Sequence, residues 1–460
     1  MAIAALTEVG LPDFGSPGAR PELPAGTHAG RLAALRARAL ADGLDVLVVY
    51  ADREHSANLA WLTGFDPRFE EAVLIARTDD ADDPAILVGN ECWGTAGAAP
   101  LAMRRHLYQD LSLQDQPRDR SRPLGDILVE EGVSDGARVG VLGWKPFVDR
   151  SRLEVPAYLV DELRRRVGSN GLVANANGLL VDPADGLRTA NDADQLAAFE
   201  HAACRVSTGI RNVIAGLRPG LREDEAVALL GWDGTPLSCH LMLTAGPRAK
   251  YGLLSPGDRA IERGDPFTTA FGVWGALCCR AGFVVETPAE LPVGVGDYVP
   301  RLVAPYFAAV VEWYEALHVG QEAGTLWEII DRRLGDPFFG IGLNPGHLIS
   351  LDEWVASPIS RGSRVPLRSG MALQVDIIPA TGTPWFTTNI EDGIALADAA
   401  LRAEIAARHP AMWVRIEARR AFMSDALGIR LHPDVLPFSN LPAYLPPYLL
   451  RPGLAMTAVR

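Results

Sequence analysis

Gly342-Leu-Asn-Pro-Gly-His-Leu-Ile349, Ser369-Gly-Met-Ala-Leu-Gln-Val-Asp-Ile-Ile-Pro379 and Asn389-Ile-Glu-Asp-Gly-Ile-Ala-Leu396 are three short apolar runs. Each contains a side chain that can move a proton or hold a cation: His347, Asp376 and Glu391. The runs have strand length, and a strand shows alternate residues to the two faces of a sheet. Neighbouring strands of one sheet would bring all three groups to a common face.

The rest of the chain limits what that face can serve. At roughly 150 residues per domain, 460 residues are enough for two or three domains. A formal charge of -14 without a clustered basic face excludes a general nucleic-acid binder. A small molecule or short peptide is the expected ligand. Cys92, Cys204, Cys239, Cys278 and Cys279 are odd in number and form no disulfide framework, so a reducing cytoplasm is expected. The start, Met-Ala-Ile-Ala-Ala-Leu-Thr-Glu-Val, has no basic region before an apolar core, and no uncharged run reaches membrane-spanning length. Neither a signal peptide nor a membrane anchor is expected.

Residues 1–27 are rich in Pro and Gly and read as an arm laid over a surface, its own or a partner's. Helix-like 31–41 and 124–131 and apolar strand runs at 45–50, 72–76, 85–88 and 138–142 make residues 28–185 an α/β domain. From Arg188 the pattern changes. Leu196, Phe199, Ala203, Val206, Ile210 and Val213 recur at helical steps, so 192–215 is an amphipathic helix with Asn191 as its cap. Strands at 241–244 and 266–272, helices at 302–318 and 324–334, and the strands of Asp376 and Glu391 follow without β-α-β regularity. Residues 186–397 therefore read as an α+β domain. Residues 398–460 read as a helix and a proline-rich strap.

Several motifs recur in an order that resembles the creatinase, prolidase and aminopeptidase P family. They are Trp61-Leu-Thr-Gly-Phe65, Arg188 with its long helix and Pro-Gly turn, Glu262-Arg-Gly-Asp265, Ala270-Phe-Gly272, Gly346-His347, Gly370-Met371 with Asp376, and Ile390-Glu-Asp-Gly393. The resemblance implies a pita-bread C-terminal domain behind a creatinase-like α/β N-terminal domain, and a homodimer. In the peptidase branch it implies two Asp, one His and two Glu holding two divalent ions. Carried onto this chain, the first Asp is Ala270, the second falls at Cys279, the His is His347, the first Glu is shortened to Asp376 and the last is Glu391. Another family His falls near Leu253 and is missing, and a second pocket His falls at Asp352, beside Glu353.

With Ala270 one bridging carboxylate is gone, and two close cations need such bridges to offset their repulsion. The resemblance therefore implies first a metal-independent, cofactor-free, creatinase-like hydrolase of a C–N bond. His347 would do acid/base work and Glu391 and Asp376 would clamp a cationic group. Cys279 is either a nucleophile facing His347, a fourth ligand to a single zinc, or a small buried hydrophobe. His240 either points into the pocket or is a satisfied core histidine. Arg280 either contacts an anion or pairs with Glu391. Trp274, with Trp232, Trp354 and Trp385, could wall the substrate. Two other readings remain: a metal-dependent Xaa-Pro peptidase with an altered site, and a binding protein that has kept the fold and lost the chemistry.

Overall fold

A computed structural model describes residues 3–79 and 82–459. The chain forms two compact units, one spanning Leu23–Arg188 and the other taking the residues on either side of it. Strand β1 (Ile3–Glu8) belongs to the second unit.

Within Leu23–Arg188, β2 (Val46–Ala51), β3 (Ala72–Arg77), β4 (Ala85–Val88), β5 (Arg104–Leu107), β6 (Arg138–Leu142) and β7 (Leu172–Asn175) form one sheet in the order β5-β4-β3-β2-β6-β7. Every residue of β2 is buried, as expected of a strand covered on both faces. Val46, Val48 and Tyr50 pack with Ile127, Leu128, Leu159 and Leu163 from the helices Leu124–Glu130 and Ala157–Val167. The edge strands β5 and β7 were not expected from the sequence. Arg-Arg-His-Leu in β5 is half exposed and has no apolar alternation to read.

The second unit is built on a larger sheet of β8 (Met242–Ala245), β9 (Pro266–Val273), β10 (Ala276–Phe283), β11 (His347–Leu348), β12 (Ala372–Asp376) and β13 (Asn389–Leu396), ordered β11-β12-β13-β10-β9-β8. Its neighbours are all antiparallel, and β14 (Val435–Pro437) pairs with β13. A two-residue turn at Trp274-Gly275 joins β9 to β10. Gly275 has φ 97° and a Cβ there would lie 2.5 Å from Phe199, so the turn and the register it sets require glycine. The last strand, β15 (Leu454–Val459), pairs antiparallel with β1. The sequence reading gave no strand to either segment. The arm also lies on its own chain: Arg211 donates to Pro12 O, Asn440 to Gly15 O and Tyr444 to Val9 O.

The long helix is Ala193–Gly216, and its cap is Asp192, which accepts from Gln195 N, rather than Asn191. Asn191 instead bonds through its side-chain amide to Gly370 O at 3.0 Å. Glu200 of this helix is buried and meets two guanidinium groups from the helix Pro410–Asp425. Arg415 Nη2 lies 2.6 Å from Oε2 and Arg419 Nη1 2.7 Å from Oε1. Burial alone would raise the Glu200 carboxyl, yet Arg415 and Arg419 hold it below its ordinary range. No helix among the described residues is long and apolar enough to cross a membrane.

Removing the Glu200 charge leaves buried Arg419 and half-buried Arg415 uncompensated, a change that costs about 3–5 kcal/mol. Glu200→Gln is expected to lower the thermal midpoint at pH 7 by roughly 5–8 °C. Because the folded pKa is depressed, this stabilisation is present above the unfolded carboxyl pKa of about 4.3 and is lost as pH falls through the folded value. Thermal unfolding from pH 7 to pH 3 checks both points, and equal midpoints for the two proteins at pH 7 would remove Glu200 from this role.

Candidate functional site

Directly paired residues on antiparallel strands point to the same face. Cys279 pairs with Ala270 on one side and Glu391 on the other, Ala270 also pairs with Met242, and Glu391 also pairs with Asp376. Met242, Ala270, Cys279, Glu391 and Asp376 thus form a single row across five strands. His347 pairs with Gln374, two residues before Asp376, and so shares that face. The register brings His347, Asp376 and Glu391 together as their spacing predicted.

One end of the row is a buried charged cluster. His347 Nε2 lies 3.0 Å from Glu353 Oε1, 3.8 Å from Asp376 Oδ2 and 3.9 Å from Glu391 Oε1. His347 Nδ1 lies 3.2 Å from Leu348 O, and its ring stacks on Trp354 with centroids 4.1 Å apart. Glu353 and Trp354 come from the loop after β11. Glu353 keeps 24% of its side chain exposed, whereas His347 is fully buried. Burial would lower the His347 pKa, but Glu353, Glu391 and Asp376 raise it to about 10. Burial raises Asp376 to about 6, with His347 opposing and Glu353 adding. Burial, and then Asp376, push Glu391 well above the usual carboxyl range. His347 Nε2, Asp376 Oδ1 and Asn389 Oδ1 are buried without a hydrogen-bond partner.

The other end is apolar. Met242, Ala270, Leu277 and Cys279 cluster there with Cys239 packed against them. Asn389 donates to Cys279 Sγ at 2.9 Å, and burial, then Glu391, drive the Cys279 thiol far above its ordinary range. That environment favours the small buried thiol at Cys279 over the activated nucleophile. Cys239 is raised to about 12 by burial and then by Glu353 and Glu391, which places it beside the same cluster.

The remaining sequence candidates go elsewhere, with one exception. Arg280 is turned to the opposite face from Cys279. It pairs there with Asp392 at 2.7 Å, donates to Tyr444 O at 2.7 Å, and also donates to Leu441 O. It is neither an anion contact in this pocket nor a partner for the Glu391 carboxylate. Trp274 lines a separate cleft with Ala198, His201 and Phe271. His240 is exposed, with Nε2 2.7 Å from the carbonyl oxygen of Leu253, the position near which the resemblance expects a further His. Asp352 is half-buried, and its neighbour Glu353 is the acid that reaches His347. Trp385 is held by Asp297 and covered by Arg301. Asn389 was missed, although it lies two residues before Glu391 on one strand and alternation alone puts both on one face.

The paired-ion centre implied by the resemblance does not fit these residues. Ala270 offers a methyl group and the Cys279 sulfur is engaged by Asn389, and both lie in the apolar cluster where a second ion would need donors. What remains is His347, Glu353 and Glu391, whose ligand atoms all lie within 4.8 Å of one another. The comparable group at His106, Glu130 and Glu131 is already closed by Arg104, which spans both Glu131 oxygens.

Sequence comparison gives no match to a family model or to a curated protein. Structural comparison does give matches. The prolidase from Pyrococcus horikoshii OT3 superposes with a TM-score of 0.61 at 14% identity, covering 80% of this chain and 95% of that one. A dipeptidase from Mycobacterium ulcerans gives 0.62 at 18%, covering 82% and 95%. The X-Pro aminopeptidase from Thermotoga maritima MSB8 gives 0.61 at 14%, covering 79% and 94%. Over most of its length, the chain has the fold of the prolidases, Xaa-Pro dipeptidases and aminopeptidases P.

Proposed function

We propose that this chain is a hydrolase that opens a C–N bond in a short peptide or a comparably small nitrogenous molecule, without a paired-ion centre. The observation that carries the reading is the cross-strand row. It keeps Glu391, Asp376 and His347 together in a buried cluster while Ala270 and Cys279 make the other end of the row apolar. Solved relatives named prolidase, Xaa-Pro dipeptidase and X-Pro aminopeptidase support a peptide as substrate.

Hydrolysis needs an activated water, a held substrate and a proton for the departing nitrogen. Among the described residues Asp376 Oδ1 has no partner, and it takes the proton of the attacking water and returns it to the departing nitrogen. Asn389 already donates to Cys279, so its free Oδ1 accepts from a substrate N–H. Small apolar substrate groups lie along Met242, Leu277 and Cys279. The creatinase-like reading, with a cationic amidine or guanidino substrate and no metal, keeps one observation in its favour. Among the described ion pairs, His347 is the sole cationic partner of Glu353, Asp376 and Glu391, so the cluster is short of positive charge.

A reducing cytoplasm remains part of this reading and accords with five free cysteines. So does a homodimer, whose contacts would lie outside the arm and strap that are already seated on their own chain.

A panel of Xaa-Pro dipeptides and small amidino and guanidino compounds, run with chelator and with added divalent ions, is expected to show turnover of at least one class. Asp376→Asn should cut that turnover by at least about 100-fold with the thermal midpoint retained. No turnover across the panel, or an unimpaired Asp376→Asn enzyme, would reject the assignment. Light scattering at micromolar concentration should give twice the 49.4 kDa chain mass, and a value near one chain would reject the dimer.

A further inference from the structure

The groups around His347 are spaced for something smaller than a substrate. An ion held by nitrogen and oxygen ligands at about 2.0–2.2 Å separates adjacent donors by roughly 3.0–3.4 Å. His347 Nε2 to Glu353 Oε1 is 3.0 Å, Nε2 to Asp376 Oδ2 and to Glu391 Oε1 are 3.8 and 3.9 Å, and the ligand atoms of His347, Glu353 and Glu391 all lie within 4.8 Å of one another, so the set closes on one ion by drawing inward. We propose that His347, Glu353 and Glu391 hold one first-row divalent cation, with Asp376 beside it. In this mononuclear site the loop residue Glu353 replaces the sheet ligands given up at Ala270 and Cys279.

Three further observations agree. Leu348 O takes an N–H from His347 Nδ1, so Nε2 is the ring nitrogen turned to the carboxylates and the one a cation would engage, and stacking on Trp354 fixes the ring plane. A carbonyl on one ring nitrogen with the other aimed at a shared centre is the usual support for a metal-binding imidazole. Among the described residues Asp376 Oδ1 is buried without a hydrogen-bond partner, so a cation would satisfy an acceptor left open beside His347 Nε2. The thiol is excluded as a fourth ligand, because Cys279 Sγ is engaged by Asn389 and packed among apolar groups. One imidazole with carboxylates suits Mn²⁺, Fe²⁺ or Zn²⁺ better than a thiolate-seeking ion. Glu353 is also the partly exposed member of the set, which gives the ion a way in from solvent.

The site stands on this geometry and not on the hydrolase reading, and one experiment separates the two. The chelator-stripped full chain is titrated calorimetrically with Mn²⁺ and with Zn²⁺, and bound metal is counted by elemental analysis. The expected result is one equivalent per chain and a raised thermal midpoint. Glu353→Gln should weaken binding by at least about tenfold, His347→Ala should abolish it, and Cys279→Ser should leave it unchanged. Midpoints of the ion-free variants show that each has folded. Two equivalents per chain, no binding, binding indifferent to Glu353→Gln, or binding lost in Cys279→Ser each overturn the proposal. So does saturable binding of methylguanidine by a chain that takes up neither metal, which assigns the cluster to an organic cation. Turnover by a chain that takes up neither metal sinks the ion site and spares the hydrolase; a bound ion with no turnover does the reverse.

Discussion

The antiparallel pairing of β10 with β9 on one edge and β13 on the other makes each residue on the pocket face answer to a neighbour on the far face. Cys279 and Glu391 look into the pocket because Cys278, Arg280 and Asp392 look away from it. The far side is therefore not filler. Arg280 and Asp392 are both fully buried, a placement tolerated only when each charge is paired and its remaining hydrogen bonds are met. They are met by the strap: Leu441 O and Tyr444 O accept from Arg280, and Ala443 N donates to Asp392. One ion pair thus ties the proline-rich segment to the back of the strands whose fronts carry Cys279 and Glu391.

The same alternation explains how much of the site the sequence disclosed. His347, Asp376 and Glu391 were legible because each sits in an apolar strand-length run, where a polar group stands out. Arg280 was misplaced although the rule that exposed those three also covers it. A residue adjacent to Cys279 on a strand faces the other way, and so cannot contact the side chain of Glu391. Asn389 was overlooked despite lying two residues from Glu391. Glu353 lies outside the rule altogether. It comes from a loop, where no period fixes direction, and its approach to His347 depends on how the residues after β11 fold back.

Fold class was legible for a related reason. Buried strands such as β2 and periodic helices such as Ala193–Gly216 carry strong patterns, and most of their observed bounds fall within a residue or two of those expected. Elements without such a pattern were not seen. Arg-Arg-His-Leu in β5 has no apolar alternation, and β1 and β15 owe their strand state to each other across almost the whole chain. Pairing at that distance leaves no local trace.

That last pairing bears on how the molecule is made. Thr7 and Thr457, hydrogen-bonded side chain to side chain, are separated by 450 positions, so β1 leaves the ribosome long before its partner is translated. The unit spanning Leu23–Arg188 has all its strands as soon as β7 has emerged and can fold while synthesis continues. The other unit cannot close until β15 has emerged, and β1 must wait with an unpaired edge. Closing so long a loop is slow, so the two units reach their native states at different times in the life of one chain.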